Sequence, residues 1–437
     1  MNIHDLPGYK GVSFLQILPQ LYRDPLGSLT KIVSSGERVI PFQLGKYILF
    51  LVNDPSILRH ILKTNYRNYP RGKSLKGIFP LLGKGLFTSD HDLWVKQQKN
   101  ITPAFHTKNY AEFERIIREE TDKFCSDLEN FAKEHTTVDM QKEFKTLMLS
   151  ILAKEMFSPD LKFNPETIIT KLDAVLEYTS IKGELIRNVV SGVKAMFGIS
   201  YTPPLLYTES LKYLEDFVAG FFGRIMRNEL RPAALTSILK ELKEQGEIDD
   251  TQVRDEIMTF LFAGFDTVAE GLSWSQYLIS ANPGTDEKII SENEPKYLQA
   301  VIYEALRLYP PAWAFYRIVT EDDEIDGLHF PAKSYLMISP YLLHRTPKYW
   351  DNPNLFNPER FIEEDQPEVN HFHYIPFGQG PHICTGRRIA MFEMNLILSI
   401  ITPKFRFNYT GKNPPEADPG IIMKAKDALF FKVEMRP

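Results

Sequence analysis

A mainly α fold with a small β-rich flank is what the sequence predicts, on three observations. Between about 90 and 310, and again over about 385–402, apolar residues recur at three- and four-residue spacing, the signature of amphipathic helices. Strand signals gather instead toward the two ends of the chain, mainly at about 36–53, 315–345 and 405–437. No internal repeat and no low-complexity linker divides the sequence, so residues 1–437 read as one domain even though the length alone allows two or three.

The first segment, MNIHDLPGYKGVSFLQILPQLYRD, has no apolar run near the roughly 18 residues a spanning helix needs, since Gln16 and Pro19 interrupt it. It also lacks the basic start and cleavage site of a secretory signal, which predicts no transmembrane anchor. RVIPFQLGKYILFLVNDP reads as two strands joined at Gly45-Lys46. Asp54 then stands as N-cap and Pro55 as the first residue of a helix, where a missing N–H costs nothing. Further on, DDTQVRDEIMTFLFAGFDTVAEGLSWSQYLIS opens with Asp249, Asp250 and Thr251 as cap candidates and runs about thirty residues to Asn282-Pro283. At about 1.5 Å per residue such a helix spans roughly 45 Å. EIDGLHFPAKSYLMISPYLL and the terminal ALFFKVEMRP supply the remaining short strands.

Composition narrows the function. With 43% hydrophobic and 24% charged residues the chain can bury a large core, and a net charge of -5 gives no basic stripe for a nucleic acid. Cys125 and Cys384 are too few and too far apart for a secreted disulfide scaffold, which predicts a reducing, cytoplasmic setting.

The middle of the long helix, Phe260 to Phe265, is apolar on nearly every face and therefore buried, yet Asp266-Thr267 follows at once beside the helix-weakening Gly264. Two readings compete. In one, Thr267 bonds back to the carbonyl of Ala263 and Asp266 pairs with a distant base, so that both buried polar groups are satisfied locally. In the other, the helix opens to hold water or a small ligand, and the acid and hydroxyl relay protons. A second pair, Glu304 and Arg307 in YEALRLYPP, lies at i, i+3 on one helix face and by itself reads as a surface ion pair. Arg360 in FNPERF is a further arginine able to join that glutamate and pin a loop.

The loop leads into FGQGPHICTGRR. Cys384 stands just before a helix N-terminus, where backbone N–H groups and the helix dipole favour a thiolate. Gly378, Gly380 and Gly386 let the backbone fold closely around the sulfur and approach a flat ligand. Zinc held by His371, His373, His382 and Cys384 is one alternative, although the spacing matches no common zinc signature. An iron–sulfur cluster needs about four thiolates and is excluded. A single thiolate to haem iron fits the inventory.

These residues together resemble the cytochrome P450 family. Phe377-Gly378-x-Gly380-x-His382-x-Cys384-x-Gly386 is similar to its haem-binding signature, and Ala263-Gly264-Phe265-Asp266-Thr267 to its oxygen-activation motif. Glu304-x-x-Arg307 and Pro358-Glu359-Arg360-Phe361 resemble two further motifs, in the family's order and spacing. The resemblance covers essentially the whole chain, from Leu6-Pro7-Gly8, similar to the segment after the anchor in anchored members.

The resemblance implies the cytochrome P450 fold, with haem b between the long central helix and the helix following the cysteine loop. It implies Cys384 as axial ligand of the haem iron, Asp266 and Thr267 as the proton-delivering pair, and Gly264 as the opening for dioxygen. Glu304, Arg307 and Arg360 take structural roles. Phe377, Gly378 and Gly386 shape the haem loop, and Trp94, Gln98, His382 and Arg317 are the implied haem contacts. Gln98 stands where the family often has Arg or His, and His382 where Arg is usual. Phe87, Ala263, Ala312 and Trp313 fall in segments that line the substrate pocket, each also open to plain core packing. The stretch 185–210, with Phe197, Tyr201 and Pro203-Pro204, is the implied lid. An apolar small molecule is the expected substrate.

About fifty residues follow Cys384, too few for a reductase module, so electrons from NAD(P)H are expected through a separate ferredoxin- or flavodoxin-type donor and its reductase. Arg387 and Arg388 read either as that donor's docking point or as a solvated pair at a helix start. The expected enzyme is a monomeric haem-thiolate monooxygenase using O2. A peroxide-driven or rearranging haem-thiolate enzyme and a non-catalytic haem protein are the alternatives, and the Asp266-Thr267 pair disfavours both.

Overall fold

A computed structural model describes residues 8–45, 47–71, 77–179, 203–291, 295–364 and 366–437. Leu6, Pro7, Lys46, Phe197 and Tyr201 lie outside the described residues. The chain opens with β1 (Tyr9–Lys10), α1 (Val12–Arg23), α2 (Pro25–Val33), β2 (Val39–Leu44) and β3 (Tyr47–Val52). Next come α3 (His91–Ile101), α4 (Tyr110–Glu134), β4 (Thr137–Asp139), α5 (Met140–Leu152), α6 (Pro165–Thr179), α7 (Leu205–Met226), α8 (Asp250–Gly264), α9 (Asp266–Ala281) and α10 (Pro295–Leu308). The last part holds β5 (Phe315–Ile318), β6 (Asp323–Ile325), β7 (Leu328–Phe330), β8 (Tyr335–Ile338), α11 (Arg387–Lys404), β9 (Phe405–Tyr409), β10 (Ala417–Pro419), β11 (Met423–Ala425) and β12 (Phe430–Met435). The helix Ala234–Glu244, the shorter helix Thr285–Ser291 and several one-turn helices fill the connections.

Two compact units share these elements. Unit 1 is Met1–Ser74, Trp274–Leu398 and Lys412–Asp427, and unit 2 is Leu75–Ser273, Ser399–Gly411 and Ala428–Pro437.

Unit 1 is built on a sheet of order β1-β2-β3-β8-β5. The β2–β3 hairpin turns between Leu44 and Tyr47, where the sequence predicts, with these two residues opposite each other and Val39 opposite Val52. Alternation along β3 sends Phe50 and Val52 into one apolar cluster and Leu51 into another, while Leu336 and Ile338 of β8 join the first and Met337 the second. Both faces are therefore covered, and this explains why YILFLV is apolar without interruption. After β3 the Asp54 carboxylate accepts the N–H groups of Ser56 (3.0 Å) and Ile57 (3.3 Å), with Pro55 at the first helical position, the cap read from the sequence.

In unit 2, β12 lies between β4 and β9, all antiparallel, with Phe431 opposite both Val138 and Tyr409. Asp139 caps α5 by accepting from Gln141 N at 3.1 Å, and Asp249 caps α8 by accepting from Gln252 N at 2.8 Å. The long helix expected over 249–281 is interrupted: α8 stops at Gly264, Phe265 takes φ -105° and ψ -45°, and α9 begins at Asp266. Thr267 Oγ1 donates to the Ala263 carbonyl at 2.7 Å, a back-bond of the kind that bends helices, next to a residue that supports a helix poorly. Among the described residues no helix is long and apolar enough to cross a membrane.

Candidate functional site

Unit 1 carries the cysteine turn. Gly378 and Gly380 adopt φ of 72° and 74°, which lets the chain reverse twice within a few residues. A methyl group on Gly380 would sit 1.8 Å from the Leu62 carbonyl oxygen, so the turn is packed tightly on the backbone beneath it. Cys384 N donates to the Phe377 carbonyl at 2.9 Å, closing the loop, and Ala390 N reaches Gly386 O at 2.9 Å as α11 starts. The backbone N–H groups of Gly386 and Arg387 donate to the Cys384 sulfur. Close packing of protein pushes the thiol up, and these two donors together with the Arg387 guanidinium pull it back toward the thiolate. Cys384 is nonetheless exposed, whereas Cys125 is buried. The result is an exposed cysteine whose anionic form is solvated by backbone amides.

Behind the turn, Glu304 and Arg307 correct the sequence reading of a surface pair, because both are 0% exposed. Arg307 Nε and one Nη bond the two carboxylate oxygens at 2.7 and 2.8 Å. The guanidinium also donates to the carbonyls of His344 (2.8 Å), Pro353 (2.6 Å) and Leu355 (3.1 Å). Asn357 N donates to Glu304 at 2.8 Å, and Arg360 lies 3.4 Å from the same carboxylate. The fork geometry of arginine thus satisfies three backbone carbonyls and a buried carboxylate at once. Sequence reasoning missed His344, which is buried among these groups. Its Nδ1 faces Arg307 O at 3.2 Å and its Nε2 accepts Ile375 N–H at 2.9 Å.

Other predicted residues of unit 1 divide. His382 Nδ1 contacts the Arg71 guanidinium, and its ring lies edge-on to Tyr66 at 5.9 Å. Arg317 is buried on β5, with Nη1 donating to the Tyr316 carbonyl at 2.8 Å and the guanidinium over Phe315 at 5.1 Å. Ala312 is exposed. Trp313 takes the packing role instead of an open one: it is buried with Leu26, Met337 and Met423, and its indole N–H donates to Gly420 O at 2.8 Å. The zinc alternative fails on geometry. His371 and His373 lie tilted against each other with ring centroids 4.9 Å apart while His382 is engaged with Arg71, and no group of three His, Cys, Asp or Glu among the described residues could hold a metal.

Unit 2 carries the helix break. Within an otherwise buried run, Ala263, Gly264 and Thr267 are half-buried and share one face. A methyl group on Gly264 would come 2.7 Å from Leu152 Cδ1, so this glycine also lets α5 approach. Asp266 is turned to Lys145 of α5, whose Nζ is 2.8 Å from Oδ1. Both elements of the local reading, the Thr267 back-bond and a base for Asp266, are therefore present, with Lys145 as the base the sequence did not identify.

The loop before α3 is pinned to α8. Lys84 N donates to Asp255 at 2.7 Å and Leu86 N to Glu256 at 3.0 Å. Burial pushes the Glu256 carboxyl up to about 7, against the Leu86 N–H and Gln252 that favour its ionised form. This loop holds Phe87, 37% exposed and edge-on to Phe262 at 5.8 Å. Trp94 is buried on α3. Gln98 is half-buried, while its neighbour Gln97 is the buried amide, donating to Lys84 O at 2.6 Å and meeting Ser89.

The donor set around Cys384 fits a thiolate ligand to a haem iron: an exposed cysteine, two amides aimed at its sulfur and a turn with two left-handed glycines. The chain matches the family model Cytochrome P450 over residues 6–431. It is 28% identical to cyclooctatin synthase of Streptomyces melanosporofaciens, over 88% of this chain and 86% of that one. It is 26% identical to cyclooctat-9-en-7-ol 5-monooxygenase of the same organism, again over 88% and 86%. Its fold superposes on the crystal structure of CYP175A1 from Thermus thermophilus with a TM-score of 0.79, at 22% identity, over 98% of this chain and 100% of that one. Fold and similarity define an oxidoreductase of the haem-thiolate monooxygenase class. The chain belongs to the cytochrome P450 family.

Proposed function

We propose that this chain binds haem b through Cys384 and inserts one atom of O2 into a C–H or C=C bond of an apolar, ring-containing substrate. The carrying observation is the cysteine turn, in which Gly386 and Arg387 amides meet the sulfur and Phe377 closes the loop. Bound there, the haem supplies activation of dioxygen with electrons derived from NAD(P)H.

The remaining roles belong to the chain. When haem is bound, His382, Arg317, Trp94 and Gln98 would hold its carboxylates, and Gly378 and Gly386 would let the backbone approach it. Thr267 holds water at the helix break, with Asp266 as its proton source and Gly264 leaving room beside it. Glu304, Arg307 and Arg360 fix the segment that leads to the cysteine. Phe87, Ala263 and Ala312 offer open, uncharged surface for substrate, which supports an apolar ligand. The cyclic alkenol in the name of one relative supports a ring system as the substrate class. Electrons arrive from a separate ferredoxin- or flavodoxin-type protein, for which Arg387 and Arg388 are the proposed docking point.

The test is the carbon monoxide difference spectrum of the dithionite-reduced protein. A thiolate-type Soret band that Cys384→Ser abolishes is the expected result, and a nitrogen-ligated band or no haem would overturn the reading. One observation favours a peroxide-driven route as second reading: Thr267 and Asp266 are both engaged with protein partners. Turnover with peroxide equal to that with O2 and a reductase system would select it.

A further inference from the structure

The loop before α3 is fastened to α8 by two neighbouring acids. Its glycines allow the close contact: a methyl group on Gly83 would overlap the Asp255 carboxylate, and one on Gly85 would overlap Thr259 Oγ1. Lys84 N donates to Asp255 and Leu86 N to Glu256, so alternate amides of the loop hold adjacent residues of the helix. Both acids are buried, yet their company differs. Asp255 has a cation, with Arg254 Nη1 at 2.9 Å. Glu256 is met by neutral donors: the Leu86 N–H, Gln252 Nε2 at 2.7 Å and, from α3, Gln97. The charge that acts on it is the neighbouring Asp255. Cations on the packed elements are turned elsewhere. Arg254 also reaches Pro80 O at 2.9 Å and Glu215 of α7 at 2.6 Å, Lys243 of the helix Ala234–Glu244 pairs with Asp250, and Lys84 is exposed.

A buried carboxyl served by amides keeps its proton more readily than one in water. Protonated, Glu256 still accepts the Leu86 N–H, and the loop stays down. Ionised, the carboxylate benefits from the same donors but is 1% exposed beside a second acid, and burial outweighs the donors. Lifting residues 83–86 hydrates that carboxylate without unfolding α8. It also brings water to Thr259 Oγ1, which is buried under Gly85 with no hydrogen-bond partner among the described residues.

We propose that Glu256 is a proton-controlled latch on the loop that carries Phe87: neutral, it holds the loop on α8, and when its proton passes to solvent the loop lifts and access to the site that Phe87 lines increases. Glu256 is a positioning residue, and the access step rests on the reading of Phe87 as substrate-facing. Linkage sets the form of the response. Between about 4.5, the value of the carboxyl in water, and about 7, its value under the closed loop, the open fraction grows about tenfold per pH unit, and above 7 it levels off.

Amide hydrogen exchange of the full-length haem-loaded protein, corrected for the intrinsic pH dependence of exchange, reads the latch without turnover. Protection at Lys84 and Leu86 is expected to fall about tenfold per unit from about pH 5 to 7 and to level off above. The fall is expected to persist in dilute urea that speeds exchange in β12, and to vanish in Glu256→Gln, which still accepts from Leu86 N. Gln252→Leu removes a donor to the ionised carboxylate and moves the levelling-off to higher pH, which keeps the test usable should Glu256→Gln not fold. Protection in the wild type that is flat with pH, or that equals that of β12 and follows urea as it does, overturns the latch. So does a slope kept in Glu256→Gln, or a levelling-off unmoved in Gln252→Leu. Access is read separately by carbon monoxide recombination after flash photolysis of the dithionite-reduced protein. Its bimolecular rate is expected to rise by about threefold or more from about pH 5 to 8 in the wild type and to stay level in Glu256→Gln. A rate unaltered by pH beside the expected exchange pattern overturns the access step, and loss of the thiolate band in the wild type overturns the functional reading alone.

Discussion

His344 Nε2 accepts the backbone N–H of Ile375 at 2.9 Å, while the other face of the same ring meets the carbonyl of Arg307. One imidazole thereby connects the buried Glu304–Arg307 fork to the strand of loop that reaches Phe377 and, through it, the Cys384 amide. Burial, first, and the Arg307 charge, second, push this imidazole well below its ordinary value, so it is neutral with Nδ1 as donor.

His344→Phe keeps a ring in the site but orphans both groups, and a loss of about 2–6 kcal/mol in urea unfolding is expected, at about 1–3 kcal/mol for each of the two buried unsatisfied partners. The wild type carries a pH signature of the same residue. Its folded pKa lies below the unfolded value, so the unfolded state binds the extra proton, and stability falls as pH drops below about 6.5. His344→Phe removes that share of the acid dependence.

Arg307→Lys retains the charge but cannot fork to the carboxylate and reach three carbonyls. Because both partners are fully buried, about 3–5 kcal/mol of stability is expected to be lost, with Glu304→Gln similar, measured by denaturant unfolding of the haem-loaded protein.

Glu256 sets a pH dependence of opposite sign. Its carboxyl rises on folding from 4.5 to about 7, so the folded state binds the proton more tightly, and the stabilisation is full below about 4.5 and lost as pH rises through 7. The full span corresponds to about 3 kcal/mol. Unfolding midpoints taken from pH 5 to 8 should flatten in Glu256→Gln, which still accepts from Leu86 N.

Gly378 and Gly380 share a left-handed backbone but differ in surroundings. A methyl group on Gly378 meets nothing within 4 Å, so Gly378→Ala is expected to cost only the conformational term, about 1–2 kcal/mol. Gly380→Ala must also displace the Leu62 backbone, and a larger loss with failure to retain haem is expected. Thermal melts and the haem-to-protein absorbance ratio separate the two.

What the sequence made legible is what is local. The Asp54-Pro55 cap, the β2–β3 hairpin and the cysteine turn depend on neighbours in the chain, and each is where the residue types place it. Partner choice was not legible. Nothing in VAEGLSW marks Glu270 as buried, yet it is, facing Lys145 of α5 at 3.6 Å. Glu304–Arg307 looked superficial for the same reason, since i, i+3 spacing says nothing about what covers the pair. The helix interruption at Phe265 was half legible: the weak Gly264 and the back-bonding Thr267 could be named, but the end of α8 there could not.

Unit 2 is assembled from three separated stretches, and its β12 is the middle strand between β4 and β9. On a ribosome, Thr137–Asp139 emerges long before Phe430–Met435, a wait on the order of tens of seconds at usual elongation rates. Through that interval the edge of β4 has no partner strand, whereas β9, made about twenty residues before β12, waits only a few seconds. Synthesis therefore passes through a nascent form with an open sheet, and yield in cells should depend on chaperone holding over that period and on translation speed across the last stretch.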